Sequence, residues 1–215
     1  MSEGAIRDAL WSAVHAQRAA LADDLAGLDD AQWAQPSLCG RWVIEEVVAH
    51  LTAAASIGPL RWVASALGAR VDFDLHNDRR LAERKGGTPA ETLERFRRVI
   101  TSTTAPLGPT AAWLGEVIVH AQDIRRPLGI LRTPPVDVVT PVADFFARRD
   151  FAVRSRTAIN GVRLEATDGS FATGTGPLVS GTTLALTMAM AGRHAYYDDL
   201  AGPGVPELRA RCSAR

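Results

Sequence analysis

The sequence has few cysteines and no long apolar run, and these two absences limit the classes of protein to which it can belong. Its 215 residues include only Cys39 and Cys212, which excludes a small domain held together by disulfides. No run reaches the roughly 18 apolar residues of a membrane span, and the opening residues lack the apolar stretch of a signal peptide. We therefore expect a cytoplasmic protein that does not enter a membrane.

The chain also lacks an excess of charge of either sign. Its 24 basic and 24 acidic side chains cancel, so there is no overall basic field that would collect nucleic acid or anionic lipid. Hydrophobic residues make up 47% of the chain and charged residues 22%, which is typical of a globular protein and too apolar for a disordered one. We expect small-molecule partners and no nucleic acid.

Hydrophobic periodicity predicts two helices in the first third of the chain. Apolar residues mostly four apart predict an amphipathic helix over residues 5–27. A second helix is expected from residue 41 to about residue 67, with apolar residues around much of its circumference, which implies burial. Gly58 and Pro59 should break or kink it, because proline removes a hydrogen bond and clashes with the preceding turn.

Two further helices are expected after a polar connection over residues 72–87. Thr88 and Pro89 have the pattern of an N-cap followed by proline at the first helical position, so a helix should start there. A fourth helix is predicted from about residue 110 to 126, because Pro127 disfavours helical backbone before it. Four helices with mostly short links favour an antiparallel bundle.

After the bundle the pattern changes to short elements of mixed type. Asp168 and Gly169 form a hairpin turn signal between two segments that alternate like strands. The predicted fold class is therefore mainly α, with a bundle over residues 1–130 and a small α+β region over residues 131–215. The elements predicted in the second region are a helix over 140–150, strands over 161–167 and 171–173, a tight turn over 174–181 and a helix over 182–192.

Polar residues on two of the bundle helices form a candidate metal site. Glu116 and His120 are four residues apart on the fourth helix, so they lie one above the other on the same face. Alone, such a pair is usually a hydrogen bond or salt bridge. His50 lies on an almost wholly apolar helix, where its ring needs a partner. Together the three residues match a catalytic zinc site with three protein ligands and an open fourth position.

The donor types narrow the choice of metal without deciding it. Two histidines and a glutamate suit zinc and also nickel, cobalt or iron, and we expect zinc. Asp123, on the same helix face, is a candidate to orient a ligand or a bound water, with an ion pair to Arg126 or Arg41 as the alternative. Cys39, in the loop before the second helix, is either a thiol beside the metal or a small buried hydrophobe.

Several segments of the chain carry a distinctive pattern. The segments are Trp33 with Pro36 to Trp42, Val47 to Leu51, Gly115 to Gly129, Ala166 to Asp168, Gly174 to Gly176, and Ala191 to Arg193. They resemble the mycothiol-dependent maleylpyruvate isomerase family, part of the DinB-like metalloenzyme superfamily. The likeness spans nearly the whole chain, and it implies a DinB-like four-helix bundle followed by a small C-terminal region.

The resemblance also implies a ligand set and a reaction. In that family one histidine of the second helix and a glutamate and histidine of the fourth hold the metal, which corresponds to His50, Glu116 and His120. It implies mycothiol as thiol cosubstrate, bound to the metal as thiolate, which adds to a double bond and leaves again after rotation. Arg193, in the matching Gly-Arg segment, is the candidate to hold substrate carboxylates, and Arg41 is its competitor.

The sequence leaves three alternatives open. A mycothiol S-transferase, which joins the thiol to an electrophilic xenobiotic, would use the same activated sulfur. A non-catalytic metal or small-ligand binding protein would have its site closed by a fourth protein ligand, either Cys39 or Asp123. The third alternative is that the three polar residues of the candidate site form a buried hydrogen-bond network and bind no metal. In that case, removal of metal would leave the stability of the protein unchanged.

Overall fold

The computed structural model describes residues 2–40, 42–56, 58, 81–105, 108–151 and 153–213. Within these residues the chain is mainly helical and contains one small three-stranded sheet, which confirms the predicted fold class. The chain divides into two compact units, Met1–Arg132 and Thr133–Arg215. No helix of the described residues is long and apolar enough to cross a membrane.

The first unit is built from packed helices. α1 packs against α4 and α5, and α3 also packs against both, so the described part of this unit brings four long helices together. The core between them contains Leu21, Val47, Leu51, Phe96 and Ile118, each of them almost fully buried. The helices are α1 (Glu3–Leu25), α2 (Asp30–Trp33), α3 (Ile44–Ala54), α4 (Pro89–Arg97) and α5 (Thr110–Arg125), with a helical turn at residues 81–84.

The helix starts in this unit follow from capping chemistry. The Ser2 side chain accepts a hydrogen bond from the Ala5 amide at the start of α1, as an N-cap should. Thr88 does the same for the Glu91 amide, and Pro89 follows at the first helical position of α4, as its sequence predicted. The fourth predicted helix is confirmed as α5.

The second predicted helix is shorter than expected within the described residues. α3 begins at Ile44, not at residue 41, because Val43 has extended backbone and pairs with Pro36 across a closed loop. It ends at Ala54, ahead of Gly58. Residues 59–67 of the predicted helix and 72–80 of the predicted connection lie outside the described residues.

The second unit combines helices with the sheet. β1 pairs antiparallel with β2 and parallel with β3, so the strand order is β2-β1-β3. α8 packs against α6 and against the strands β1 and β3. The elements are α6 (Val136–Arg148), α7 (Ser155–Ala158), β1 (Arg163–Ala166), β2 (Ala172–Gly174), β3 (Leu178–Gly181), α8 (Thr183–Met190), a 3-10 helix (His194–Asp199) and α9 (Val205–Ser213).

Two predictions for this unit were wrong in part. Residues 174–181 contain strand β3 as well as the predicted turn, which is made by Gly174 and Gly176 with positive φ. A strand of four residues that pairs in parallel with β1 has little local signal, since its partner is distant in sequence. α6 starts at Val136, four residues before the predicted start, and it includes Pro141 in its interior. The predicted hairpin of β1 and β2 is confirmed.

Candidate metal centre

The three predicted ligands come together between two packed helices of the first unit. His50 projects from α3, and Glu116 and His120 project from α5, one turn apart. The apolar residues of α3 on either side of His50, Val48 and Leu51, are buried, which places the imidazole at the edge of the core. Local sequence therefore puts each residue on a helix, and the packing of α3 on α5 brings the histidine to the carboxylate.

The donor atoms of the three side chains are mutual neighbours. His50 Nε2 lies 2.8 Å from Glu116 Oε1, and the side chains are only 14% and 20% exposed. The His50 and His120 rings meet edge to face, with centroids 5.0 Å apart. One ligand atom from each residue lies within 4.8 Å of the others.

Asp123 orients His120 from the next turn of α5. Its Oδ2 lies 3.0 Å from His120 Nδ1, and the carboxylate side chain is fully buried. A carboxylate on one ring nitrogen fixes the tautomer and leaves Nε2 as the nitrogen for another partner. Asp123 therefore contacts His120, and Arg41, one of its two expected ion-pair partners, lies outside the described residues.

The surroundings of His120 favour its protonated form in the metal-free protein. Burial acts against the imidazolium, but hydrogen bonds to Asp123 and Cys39 and the negative charges of both groups outweigh it and raise the pKa of His120 to about 10. A metal and a proton compete for the same imidazole, so metal binding must release this proton.

Cys39 reaches His120 through a loop that closes on itself. Ser37 Oγ donates to the Trp42 carbonyl at 2.7 Å, and the Cys39 amide donates to Ser37 Oγ at 3.0 Å. The Leu38 amide donates to the Asp123 carbonyl at 3.0 Å, which fastens the loop to α5. Cys39, His120 and Asp123 consequently form a second set of potential ligands that shares His120 with the first. The half-buried thiol lies beside the site rather than in the apolar core.

The chemistry of the donor set fits one divalent cation. Tetrahedral ligands at about 2.0 Å from a zinc ion stand roughly 3.3 Å from one another, which is close to the hydrogen-bond distance between His50 and Glu116. Small shifts of two side chains would exchange that hydrogen bond for metal ligation. The supporting contact from Asp123 to His120 is of the kind that metal-ligating histidines require.

Arg193 belongs to the second unit. It precedes the 3-10 helix, is half-buried, and its Nη1 donates to the Ala191 carbonyl at 2.8 Å. Its expected contact with substrate carboxylates stays a prediction, as does the competing one for Arg41, which lies outside the described residues.

Arg18, a basic residue that was not predicted as part of the site, borders it. It lies on the buried stripe of α1 between Val14 and Leu21 and is only 3% exposed. Arg18 and Glu116 line the same small pocket. The signal was present in the sequence, because an arginine four residues after Val14 and three before Leu21 falls on the apolar face of the helix.

Comparison with known proteins places these residues in a family. The sequence pattern of the mycothiol maleylpyruvate isomerase N-terminal domain matches residues 14–125, just over half of the chain. The chain belongs to the mycothiol maleylpyruvate isomerase family. All three candidate ligands, together with Arg18, Cys39 and Asp123, lie inside the matched range. No curated protein sequence matches the chain.

Solved structures show the fold of the isomerase over most of the chain. A crystal structure of the mycothiol-dependent maleylpyruvate isomerase is similar over 91% of this chain and 92% of that chain, with a TM-score of 0.60 and 16% sequence identity. A variant of that isomerase with one histidine replaced by alanine matches over the same shares, with a TM-score of 0.59 and 14% identity. Both the helical unit and the α+β unit therefore belong to this fold.

Proposed function

We propose that this protein is a metal-dependent enzyme that uses mycothiol to attack an electrophilic small molecule, as a maleylpyruvate-isomerase-like cis-trans isomerase. One observation carries the proposal. His50, Glu116 and His120 converge within 4.8 Å of one another, in the part of the chain that matches the isomerase N-terminal domain. Zinc is the metal we propose, because two imidazoles and one carboxylate are a common catalytic zinc set.

In this proposal a bound metal would stabilise the negative charge of the thiolate, and the protein side chains orient the metal ligands. A divalent cation at this position lowers the pKa of a nearby thiol, so that thiolate is available at neutral pH. Asp123 holds the His120 ring so that Nε2 remains for ligation. Trp42 packs against the His50 ring with a centroid distance of 4.8 Å and restricts its rotation. His50 and Glu116 are 14% and 20% exposed, so water has limited access to this pair.

The proposed reaction consumes no cosubstrate. The thiol adds across a conjugated double bond, the resulting single bond rotates, and the thiol leaves as the trans double bond forms. Atoms and electrons balance without an oxidant or reductant. Arg193 is proposed to bind a substrate carboxylate with paired hydrogen bonds, and a cytoplasmic location remains a prediction.

The proposal is tested first by metal content. Protein dialysed against metal-free buffer and then supplied with zinc should hold about one equivalent by mass spectrometry, and His120→Ala should lose it. His15→Ala is the matched control, because this histidine of α1 contacts the Ser102 carbonyl and lies outside the cluster. The zinc-loaded protein is then assayed with mycothiol and maleylpyruvate, with His120→Ala as the inactive reference. A folded parent that takes up neither zinc nor nickel would exclude the metalloenzyme.

A second candidate function is supported by Cys39. Its hydrogen bond to His120 puts a fourth protein donor beside the cluster, and a closed shell would make this a metal-binding protein without catalysis. Cobalt substitution separates the two candidates. Under the enzyme proposal, protein free of added thiol shows no sulfur-to-cobalt charge-transfer absorption, and mycothiol produces it. Absorption before thiol is added, and its loss in Cys39→Ser, would favour the closed site.

A further inference from the structure

In the part of the chain that the structure describes, the hydrogen bonds of the buried cation Arg18 use one of its three nitrogens. Nη1 donates to the Ser102 carbonyl at 2.8 Å and to the Val99 carbonyl at 3.2 Å. Among the described residues, no acceptor lies within hydrogen-bond distance of Nε, although this atom is buried. A buried donor without an acceptor destabilises the folded protein, so this one calls for a physical explanation.

The unused edge of the guanidinium has the geometry that recognises a carboxylate. Nε and Nη2 lie on one edge of the planar group and donate in parallel, as in paired arginine–carboxylate hydrogen bonds. The two carbonyls held by Nη1 follow α4 and fix the plane of the group, so little side-chain freedom is left to lose on binding.

Arg18 lines a pocket that also reaches the metal cluster. Glu116 lies on the wall of the same pocket, and Leu51, Ala54, Trp113 and Val117 supply apolar walls. All of these residues belong to the first unit. Apolar walls reduce screening by water, so charges inside the pocket interact more strongly than they would at the surface.

The charges around the pocket favour an anion. Burial lowers the pKa of Arg18 to about 10, with Glu116 acting in the opposite direction, so the group is still a cation at neutral pH. Once the Glu116 carboxylate is shared with a divalent cation, it no longer compensates Arg18 fully. A negative group that entered the pocket would then be stabilised by the Arg18 charge and by a cation held at Glu116.

We propose that Arg18 binds a carboxylate group of the electrophile and thereby places the reactive carbons beside the metal cluster. Arg18 is a specificity-determining residue in this view, and it selects for small organic acids over neutral electrophiles. The inference rests on the proposed function for its consequence, because it takes the ligand to be the substrate of the thiol reaction. The pocket itself is tested without any reaction.

The test observes the guanidinium directly by nuclear magnetic resonance. Protein labelled with ¹³C and ¹⁵N and loaded with zinc is titrated with acetate. The Arg18 Nε–H signal is assigned in the parent by triple-resonance spectroscopy, and the backbone amide signals of α1 report the acetate affinity in the parent and in each variant. Acetate should move this signal downfield, because Nε gains an acceptor, and acetamide, which is neutral and of similar shape, should not. A signal that acetate leaves in place would overturn the proposal.

Matched variants separate recognition from folding. Acetate affinity should fall at least about tenfold in Arg18→Lys, which keeps a charge but loses the paired donors, as expected for charged hydrogen bonds. Arg98→Lys should keep the parent affinity, because the Arg98 side chain is 71% exposed and lies outside the pocket lining. Equal loss in both variants would contradict the assignment. If Arg18→Lys does not fold, the acetate and acetamide titrations of the parent still decide the question.

The failure of this inference is distinguishable from that of the proposed function. Zinc content is measured on the same samples, and the titration is repeated after chelation. If the protein binds no zinc but its Arg18 signal responds to acetate, the carboxylate pocket is supported and the metalloenzyme proposal is rejected. If the zinc-loaded protein reacts with mycothiol but its Arg18 signal does not respond to acetate, the proposed function is supported and the role of Arg18 is rejected.

Discussion

At the scale of single residues, the candidate site depends on contacts that set the state of one imidazole. His120 Nδ1 is hydrogen-bonded to Asp123, and the ring also bonds to Cys39. Both groups stabilise the protonated imidazolium of His120 relative to the neutral imidazole. The same carboxylate that orients His120 for metal therefore also strengthens a competing proton. Metal uptake and pH are consequently linked at this residue.

This linkage predicts how zinc affinity depends on pH. The pKa of His120 is raised to about 10, so between pH 7 and pH 9 zinc must displace one proton, and the apparent affinity should rise roughly tenfold per pH unit. Asp123→Asn should flatten this slope, because the pKa of His120 falls without the carboxylate. The zinc affinity corrected for proton competition should fall about 10- to 100-fold, because the ring is no longer oriented. Calorimetry in buffers of different ionisation enthalpy measures the proton released.

The control for this prediction is a carboxylate far from the site. Asp8→Asn should keep the parent slope and affinity, because Asp8 is 77% exposed on α1. Zinc affinity that does not change with pH in the parent would show that His120 is neutral before metal arrives.

At the scale of helices, a buried ion pair joins α1 to α5 near the site. Asp24 Oδ2 accepts from Arg125 Nε at 2.8 Å, with side-chain exposures of 6% and 0%, and Asp24 Oδ1 accepts from Arg132 Nε at 2.7 Å. α1 carries Arg18 and α5 carries Glu116 and His120, so this pair helps to hold the two helices that build the pocket.

Removal of the Asp24 charge should destabilise the first unit. Asp24→Asn removes the negative charge that the buried Arg125 shares with Arg132, and we expect the free energy of unfolding to fall by about 3–5 kcal/mol. Glu94→Gln is the control, because its pair with Arg98 is largely exposed and contributes at most about 0.5 kcal/mol. Urea denaturation followed by circular dichroism measures both variants. A loss for Asp24→Asn no larger than that for Glu94→Gln would show that water or other groups replace the carboxylate.

At the scale of the whole molecule, two compact units follow one another in the chain. The first, Met1–Arg132, contains every ligand of the candidate metal centre and the Arg18 pocket. The second, Thr133–Arg215, contains the sheet and Arg193. The solved isomerase has a similar fold over 91% of this chain, so that fold contains counterparts of both units.

A metal ion that binds the candidate site should stabilise the native protein. At a free zinc concentration one hundred times the dissociation constant, native-state binding adds about 2.7 kcal/mol to the free energy of unfolding. Hydrogen exchange should show slower exchange in α3 and α5 after zinc is added, and no change in His120→Ala. Unchanged exchange in the parent would favour the interpretation of the cluster as a buried hydrogen-bond network.

The sequence by itself determined what depends on near neighbours in the chain. Ser2 and Thr88 mark helix starts because their side chains bond amides three residues away, and the four-residue spacing of Glu116 and His120 places both on one face. His50 lies on an apolar helix, so its imidazole ring needs a polar partner, and the family motifs indicated Glu116 and His120. The mainly α class follows from the same local periodicity.

Only the tertiary structure decided what depends on packing between distant segments. His50 forms a hydrogen bond with Glu116, which is 66 residues away in the sequence. Cys39 contacts His120 because a hydrogen bond from its loop to α5 holds that loop in place. Strand β3 is defined by its pairing with β1, and Arg18 is significant because α1 turns it toward the pocket that Glu116 lines. Such contacts arise from the docking of whole elements, which no local pattern of residues specifies.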